Sequence, residues 1–388
     1  MRRQGWMLGL LVVGLLAGCA SQPQPHKIAY VGTYTGDSGS KGIYRIHVDK
    51  EKGVVGKPEL VAEAGNPSFL AFNRDKKYLY AVSETESKVF AYDVKDKSAP
   101  LTLLNEAKTG RGPCHVASAI YWVSPPPSRV SEMLAVADYM GGSAGAWLLE
   151  EDGRIGKQDA FFQNTHASEA TGRQQQPHAH GVTFFDGLLL LPDLGADRVY
   201  VYKHNFNKMP NTTPHATAPW IELPPGRGPR HVAFSPPLPA NYSGRYRGCL
   251  YVLNELSNTV SVFEYNSRGK TFTFIEEVGT LPAGFDGQNT TAELIVLENT
   301  LYATNRGHDS IARFKRDPST GRLTLLDCTP CGGKWPRHFT IMPGSSLMLV
   351  ANQHSNNIAV FRIGKDGSLT PIPGGGVEIG APACVVFE

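Results

Sequence analysis

Three arginines and a pair of histidines are the side chains best suited to anion binding and proton transfer. The motif GPRH contains Arg230, the motif WPRH contains Arg337, and Arg306 follows the stretch LYATN. The motif PHAH contains His178 and His180, and a spacing of two residues puts both on the same side of a strand. Arginine binds carboxylates and phosphates through a planar fork, and histidine exchanges a proton near neutral pH. These residues predict a site that binds an anionic group and carries out acid–base chemistry.

The motifs belong to a repeat that runs through the chain. One kind of segment is a short apolar strand, mostly opened by a proline, and a second kind is an apolar strand that ends in a polar turn and leads into another strand. The two kinds alternate, and each occurs seven times. The first kind lies at 66–72, 112–118, 176–184, 228–234, 291–297, 335–341 and 381–387. Their spacing of about 45 to 65 residues is the size of a four-stranded propeller blade with variable loops.

We therefore predict an all-β fold, a single seven-bladed β-propeller. The 41 glycines and 28 prolines punctuate short runs of β-branched and aromatic residues, and no helical periodicity stands out. The chain begins with the second kind of segment and ends with the first. The last strand, at 383–387, is therefore expected to complete the blade that starts at 28–33. Pairing of the two chain ends closes the ring and leaves no free sheet edge at the seam.

The first 19 residues differ from the rest. Two arginines precede an apolar stretch at 6–17 that is too short to span a bilayer comfortably, which is typical of a cleaved export signal. The sequence LAGC that ends at Cys19 resembles a bacterial lipobox and predicts a lipidated envelope protein. A polar tether then covers 20–27, and the propeller covers 28–388.

The alternative to a lipoprotein is an ordinary secreted protein. Three glycosylation sequons leave a eukaryotic secreted protein open, at Asn211, Asn241 and Asn289. A net charge of +3 with 19% charged residues predicts no nucleic-acid partner, because phosphate binding needs a clustered basic face. Membrane contact is expected only through a lipid anchor at Cys19.

Propeller geometry brings the variable residues of the repeats together. The innermost strand of each blade starts at one face of the central channel, and the next strand returns to that face. Residues after each opening proline and at the end of each second strand should therefore ring one mouth. We predict His180, His178, Glu255 and Arg230 as catalytic residues, with Glu255 orienting a histidine or an attacking water. The predicted substrate-binding residues are Arg306, Arg337, Glu293, Asp193 and Asn254.

Other interpretations of these residues stay open. An Arg–Glu lattice can be purely structural, and His231 and His338 are expected to alternate to the opposite side of their strands and pack between blades. A calcium site is a second alternative, with oxygens from Glu84, Asp138, Asp193 and Glu255, although the nearby arginines argue against it. We expect neither a metal nor a cofactor. Residues 162–176 form an insertion that leads into PHAH and is expected to lie over the mouth as a flap.

The cysteines do not complete a metal motif. Five remain after Cys19, and CTPC at 328–331 lacks a second pair or a matching histidine motif. We expect buried thiols or one local disulfide.

The motifs taken together resemble a known family. VGTYT, QPHAHGV with LPDLGADRVYVY, GPRHVAF with LYVLNELSNTVSVF, and LYATNRGHDSIARF resemble the seven-bladed lactonases, which include propeller-type bacterial 6-phosphogluconolactonases and fungal carboxy-cis,cis-muconate cyclases. The resemblance runs from about residue 28 to the C-terminus. It implies hydrolysis of a sugar lactone or lactone closure of an unsaturated diacid. It also implies an active-site group of His178 or His180, Arg230, Glu255 and Arg306.

The sequence thus predicts an exported, monomeric lactonase acting on an aldono- or 6-phosphoglucono-type lactone at the channel mouth. An export signal fits an unphosphorylated lactone better, since 6-phosphogluconolactone arises inside cells. One alternative is a non-catalytic envelope protein that binds a carboxylated sugar or a protein partner. The other is a lactonising cyclase of the muconate type.

Overall fold

The computed structural model describes residues 26–122, 130–204, 212–215, 218–235 and 247–388. The predicted signal and lipobox, most of the tether, and the sequons at Asn211 and Asn241 lie outside the described residues. Within the described ranges, no helix has the length and apolar character needed to cross a membrane.

Strands are the only regular elements among the described residues, and they are arranged in seven sheets. Blade 1 contains β1 (His26–Thr33), β2 (Gly42–Asp49), β3 (Val54–Val55) and β4 (Glu59–Glu63). Blade 2 contains β5 (Leu70–Phe72), β6 (Tyr78–Ser83), β7 (Lys88–Asp93) and β8 (Thr102–Lys108). Blade 3 contains β9 (Pro113–Trp122), β10 (Val130–Asp138), β11 (Ser143–Leu149) and β12 (Ile155–Gln163).

The remaining blades follow the same antiparallel pattern. Blade 4 contains β13 (Thr183–Phe185), β14 (Leu188–Asp193), β15 (Arg198–His204), β16 (Thr212–Pro214) and β17 (Trp220–Glu222). Blade 5 contains β18 (Pro229–Phe234), β19 (Arg247–Asn254), β20 (Thr259–Asn266) and β21 (Thr271–Gly279). Blade 6 contains β22 (Thr290–Leu297), β23 (Thr300–Arg306), β24 (Ser310–Arg316) and β25 (Leu323–Pro330). Blade 7 contains β26 (Pro336–Ile341), β27 (Leu347–Asn352), β28 (Asn357–Ile363), β29 (Leu369–Pro371) and β30 (Val377–Glu378).

The last strand, β31 (Pro382–Phe387), closes the ring. It pairs antiparallel with β1, with Val385 opposite Val31, and so becomes the innermost strand of blade 1. Val385 and Val31 share a buried cluster with Leu347 and Leu349 of blade 7, so closure also buries apolar surface between the first and last blades. The predicted seven-bladed propeller, closed by its two chain ends, is confirmed.

Neighbouring blades are also tied by a repeated tyrosine contact. The hydroxyls of Tyr80, Tyr251 and Tyr302, each on the second strand of its blade, donate to a backbone carbonyl in the next blade. The acceptors are Gly153, Gly321 and Gly367, at 2.9, 2.8 and 2.7 Å. Each of these glycines has a positive φ in the turn between the third and fourth strands. A buried hydroxyl needs a partner, so this contact fixes the blade-to-blade spacing.

A β-bulge recurs where inner strands start at the mouth. Pro229 pairs with Asn254 and His231 with Leu253, which leaves Arg230 as the extra residue. The same shift leaves Arg337 extra between Pro336 and His338 in blade 7, and Cys114 extra in blade 3. A bulge interrupts the two-residue alternation and re-aims the side chain at that point. The residue after the proline is therefore the one that the backbone directs into the mouth.

The closing strand should be far less tolerant of charge than the outer edge of the same blade. We expect Val385→Asp to lower the free energy of unfolding by about 3 kcal/mol or more, because it buries an unpaired carboxylate. Val385 is 0% exposed, and the control Val54→Asp changes a residue that is 43% exposed in β3. The control should change stability by less than about 0.5 kcal/mol in urea unfolding. Equal losses for the two variants would contradict the assigned closure.

Candidate functional site

Glu255 lies at the centre of the mouth. It follows β19, is only 2% exposed, and its backbone N–H donates to the Gly228 carbonyl at 2.8 Å. Its Oε2 lies 3.1 Å from Arg230 Nε and 3.0 Å from Arg306 Nη2. Its Oε1 lies 2.5 Å from Arg173 Nη1. One buried carboxylate is thus shared by three arginines.

These cations keep Glu255 ionised. Burial alone would raise the pKa of its carboxyl, but Arg306, Arg230 and Arg173 outweigh burial and lower that pKa to about 2. Burial lowers the pKa of Arg306, Glu255 opposes that effect, and the neighbouring Arg230 lowers the pKa further. Like charges are therefore crowded at the mouth, and Glu255 does not neutralise them all.

His180 is the histidine of PHAH that reaches this cluster. Its Nε2 lies 3.5 Å from Glu255 Oε2, and its Nδ1 lies 3.8 Å from the Sγ of Cys114. Burial, followed by repulsion from Arg230, lowers the pKa of His180 well below its ordinary value. His180 is therefore neutral at pH 7, and one of its two ring nitrogens carries a lone pair that can accept a proton.

His178 lies at the mouth but makes different contacts. Its Nδ1 is 2.9 Å from the Tyr139 carbonyl oxygen, and its ring stacks on the Tyr139 ring at 4.3 Å between centroids. The structure therefore brings His180, and not His178, into contact with the carboxylate.

Arg230 and Arg306, the two inner arginines, keep some hydrogen-bond donors without a well-aligned partner in the described residues. Arg230 Nη1 donates to the Ala292 carbonyl, and Arg306 Nη2 donates to the Thr291 carbonyl at 2.6 Å. Arg230 Nε, Arg306 Nε and Glu255 Oε2 form no well-aligned hydrogen bond within the described residues. Arg230 Nε and Arg306 Nη2 nevertheless lie within ion-pair distance of Glu255 Oε2. Buried polar atoms without aligned partners are available to a ligand.

Arg337 approaches the mouth from blade 7. Its guanidinium lies 4.9 Å from the centre of the Tyr34 ring, while the Tyr34 hydroxyl donates to Glu84 Oε1 at 2.8 Å. The Ser68 hydroxyl donates to the same oxygen. Within the described part of the chain, Arg337 has no ion pair of its own.

Three predicted substrate-binding residues have bonds that hold the blades. Asp193 Oδ1 accepts from the backbone N–H groups of His178, Gly195 and Ala196, and its Oδ2 accepts from Asn164. Asn254 Nδ2 donates to the hydroxyls of Thr259 and Ser261. Glu293 lies deeper in the channel, where both carboxylate oxygens are 3.1 Å from His231 Nδ1. The structure does not bring these three side chains to Glu255.

His231 and His338 line the channel, which corrects the expectation that they pack between blades. A cavity of about 210 Å³ below the arginines is lined by both of them and by Phe69, His115 and Glu293. The bulges after Pro229 and Pro336 remove the alternation on which that expectation rested. A larger open cleft lies near Tyr78 at the opposite face and has none of the predicted residues.

Comparison with known proteins identifies the family to which the chain and its fold belong. The family model described as "Lactonase, 7-bladed beta-propeller" matches residues 28–387. The chain belongs to the seven-bladed lactonase family. It is 32% identical to a 6-phosphogluconolactonase of Bacillus subtilis, over 93% of this chain and 98% of that protein. It is also 32% identical to a 6-phosphogluconolactonase of Formosa agariphila, over 86% of this chain and 91% of that protein.

A solved structure agrees with that membership. The periplasmic gluconolactonase of Pseudomonas aeruginosa is 28% identical with a TM-score of 0.79, covering 93% of this chain and 99% of that one. The resemblance read from the sequence motifs is confirmed at the level of the family.

The four carboxylates weighed as calcium ligands do not converge in this lactonase-family chain. Glu84 accepts from Tyr34, Asp138 Oδ2 accepts from Ser143 at 2.8 Å, and Asp193 is bound within its turn. In the described residues, no group of three or more acidic, histidine or cysteine side chains is arranged to hold a metal ion. Cys328 and Cys331 are free thiols, so the structure has no local disulfide at CTPC.

Sequence reasoning missed Arg173 and Tyr139. Arg173 comes from the insertion at 162–176 and contacts both Glu255 and the Tyr139 hydroxyl, the latter at 2.8 Å. The insertion had been expected to cover the mouth, but the repeat pattern assigns no inward position to a residue inside a loop. The one sequence feature that could have indicated Arg173 is its place in a loop that leads directly into PHAH.

Glu255 should make stability depend on pH in the acid range. Its folded-state pKa of about 2 lies below its ordinary value, so its stabilisation is complete above about pH 4.5 and is lost as pH falls toward 2. We expect Glu255→Gln to cost on the order of 3 kcal/mol at pH 7 and less than half of that at pH 3, measured by urea unfolding.

The control for this experiment is Glu59→Gln. Glu59 pairs with Arg45 at 2.7 Å but its side chain is 51% exposed, so its loss should cost less than about 1 kcal/mol. A penalty for Glu255→Gln that does not shrink between pH 7 and pH 3 would show that the carboxylate is not held ionised by the arginines.

Proposed function

We propose that this chain is an exported lactonase that hydrolyses a sugar lactone at the channel mouth without a cofactor. The observation that carries the proposal is the contact of Glu255 with His180, Arg230 and Arg306 at one buried point. Family membership and the lactonase names of the relatives support the reaction class. The periplasmic relative and the N-terminal signal features support export, and the LAGC sequence supports a lipid anchor at Cys19.

The geometry suits attack of water on a lactone carbonyl. Neutral His180 accepts a proton from water as the water oxygen adds to the carbonyl carbon, and Glu255 stabilises the imidazolium that forms. Arg230 and Arg306 face the oxyanion that develops on the carbonyl oxygen. Collapse of the tetrahedral intermediate breaks the ring C–O bond, and His180 returns the proton to the departing ring oxygen. The product is a hydroxy acid, which releases its carboxyl proton to solvent, and the resulting carboxylate lies among the arginines.

The charge of the mouth favours such a product. Within the described residues, Arg173, Arg230, Arg306 and Arg337 outnumber the carboxylates that act on them, which are Glu255, Glu84 and Glu293. Arginine binds carboxylates through charge-assisted hydrogen bonds, and these are stronger when they are shielded from water. The surplus of positive charge supports a ligand that is anionic or becomes anionic during the reaction.

The function is tested with a panel of aldonolactones. The purified protein is expected to accelerate ring opening above the spontaneous rate. The rate is measured by titrating the released acid at constant pH. Arg230→Met should lower kcat by about 10²–10³ because one oxyanion donor is lost. Binding of the hydroxy acids without any turnover would favour the non-catalytic binding protein. Loss of the conjugated-diene absorbance of a muconate, without lactone hydrolysis, would favour the cyclase.

The two histidines of PHAH should differ in effect. We expect His180→Gln to lower kcat by about 10²–10⁴, because the proton acceptor next to Glu255 is removed. His178→Gln is the matched control, since it removes a neighbouring imidazole that contacts Tyr139 rather than Glu255. It should retain most of the activity. The reverse order of the two effects would assign the base to His178.

A further inference from the structure

Arg173 differs from the other cations of Glu255 in its position. Its side chain is 44% exposed, whereas those of Arg230 and Arg306 are 3% and 5% exposed. It contacts Oε1 of the carboxylate, while the two inner arginines and His180 contact Oε2. Arg173 is therefore the solvent-facing cation, and the reacting groups lie on the inner side of the same carboxylate.

The loop that carries Arg173 is held in place by its own hydrogen bonds. The Glu169 N–H donates to the Gln174 carbonyl at 3.0 Å, and the Gln174 N–H donates to the Thr171 carbonyl at 2.9 Å. The buried Gln174 side chain donates to the Leu194 carbonyl at 2.8 Å, which ties the loop to blade 4. A guanidinium on a fixed loop loses little conformational freedom when it binds a ligand.

The guanidinium of Arg173 is only partly used. Nη1 contacts Glu255 and Nη2 donates to the Tyr139 hydroxyl, while Nε has no partner within the described residues. Glu255 is already shared with Arg230 and Arg306, so it cannot neutralise Arg173 fully. An exposed arginine with spare donors at the rim of a positively charged mouth is suited to bind an anion.

We propose that Arg173 is a specificity-determining residue that binds a second anionic group on the substrate, remote from the lactone carbonyl. The proposal rests on the proposed function for the inner side of Glu255, where the carbonyl reacts. A ligand whose carbonyl lies among His180, Arg230 and Arg306 extends its far end toward Oε1 and Arg173. A phosphate or a second carboxylate provides the same chemistry there, namely oxygen acceptors for the guanidinium fork.

The test measures binding of three product acids to the full chain by calorimetry. Gluconate has one anionic group, 6-phosphogluconate adds a phosphate, and glucarate adds a carboxylate. We expect Arg173→Met to weaken binding of at least one of the two doubly charged acids by about tenfold or more, and to leave gluconate binding within about twofold. The acid that is affected identifies whether phosphate or carboxylate is recognised. Arg173→Lys should restore part of the lost affinity, because the charge returns without the fork.

The matched control is Arg111→Met. Arg111 is exposed on the loop before β9, where its Nη2 donates to the Met140 carbonyl at 3.2 Å, so its loss changes the net charge equally beside the same rim. Equal weakening of all three acids by Arg173→Met would assign Arg173 to support of Glu255 and overturn the proposal. Equal effects of the Arg173 and Arg111 variants, or no effect of either, would also overturn it.

Failure of this proposal is distinguishable from failure of the proposed function. The binding measurement needs no turnover, and the lactone panel needs no second anionic group. Hydrolysis of neutral aldonolactones with no selective effect of Arg173→Met sustains the lactonase and rejects the role of Arg173. If Arg173→Met selectively weakens binding of a doubly charged acid but the protein hydrolyses no lactone, the role of Arg173 is sustained and the lactonase is rejected. If the unchanged protein binds none of the three acids, the role of Arg173 is rejected.

Discussion

The shared carboxylate of Glu255 is the interaction on which the mouth depends. Arginines repel one another when they are removed from water, and burying them without a counter-charge costs several kcal/mol per ion. Glu255 offsets that repulsion from a single point, which holds Arg230 and Arg306 near His180. Glu255 compensates the positive charge only in part, since one negative charge faces three close cations. The arrangement that lowers the repulsion within the cluster therefore also leaves a net positive charge suited to an anionic ligand.

The propeller supplies what a single strand or loop could not. Arg230 and Glu255 come from blade 5, His180 from blade 4 and Arg306 from blade 6, so the cluster spans three neighbouring blades. The bulge that follows the inner-strand proline turns Arg230 toward the mouth, and the tyrosine contacts set the spacing of several blade pairs. Rigid blades hold the side chains before a substrate arrives, which lowers the cost of ordering them on binding.

The sequence predicted the fold well because the repeat carries it. The seven short apolar segments, six of them opened by a proline, and their order along the chain are sufficient to predict the blades, the closure by β31 and the convergence of Arg230, Glu255 and Arg306. The sequence could not separate His178 from His180, because both have the same strand parity. The contact of His178 with Tyr139 and that of His180 with Glu255 distinguish them only in the folded protein. Strand parity also failed for His231, where a bulge interrupts it. Asp193 has the sequence signature of a mouth residue, but three backbone N–H groups occupy one of its oxygens. Arg173 lies in a loop, where periodicity carries no information.

The pairing of β31 with β1 also affects when blade 1 can be completed during synthesis. Blade 1 needs residues from both ends, so during synthesis β1 must wait for the last strand of the chain, Pro382–Phe387. Until then β1 presents an unpaired inner edge, and open strand edges are templates for association with other chains. A chain that stops a few residues early has every residue of the Glu255 cluster but keeps that edge open. The last strand thus covers this edge, although none of the residues that contact Glu255 lies in it.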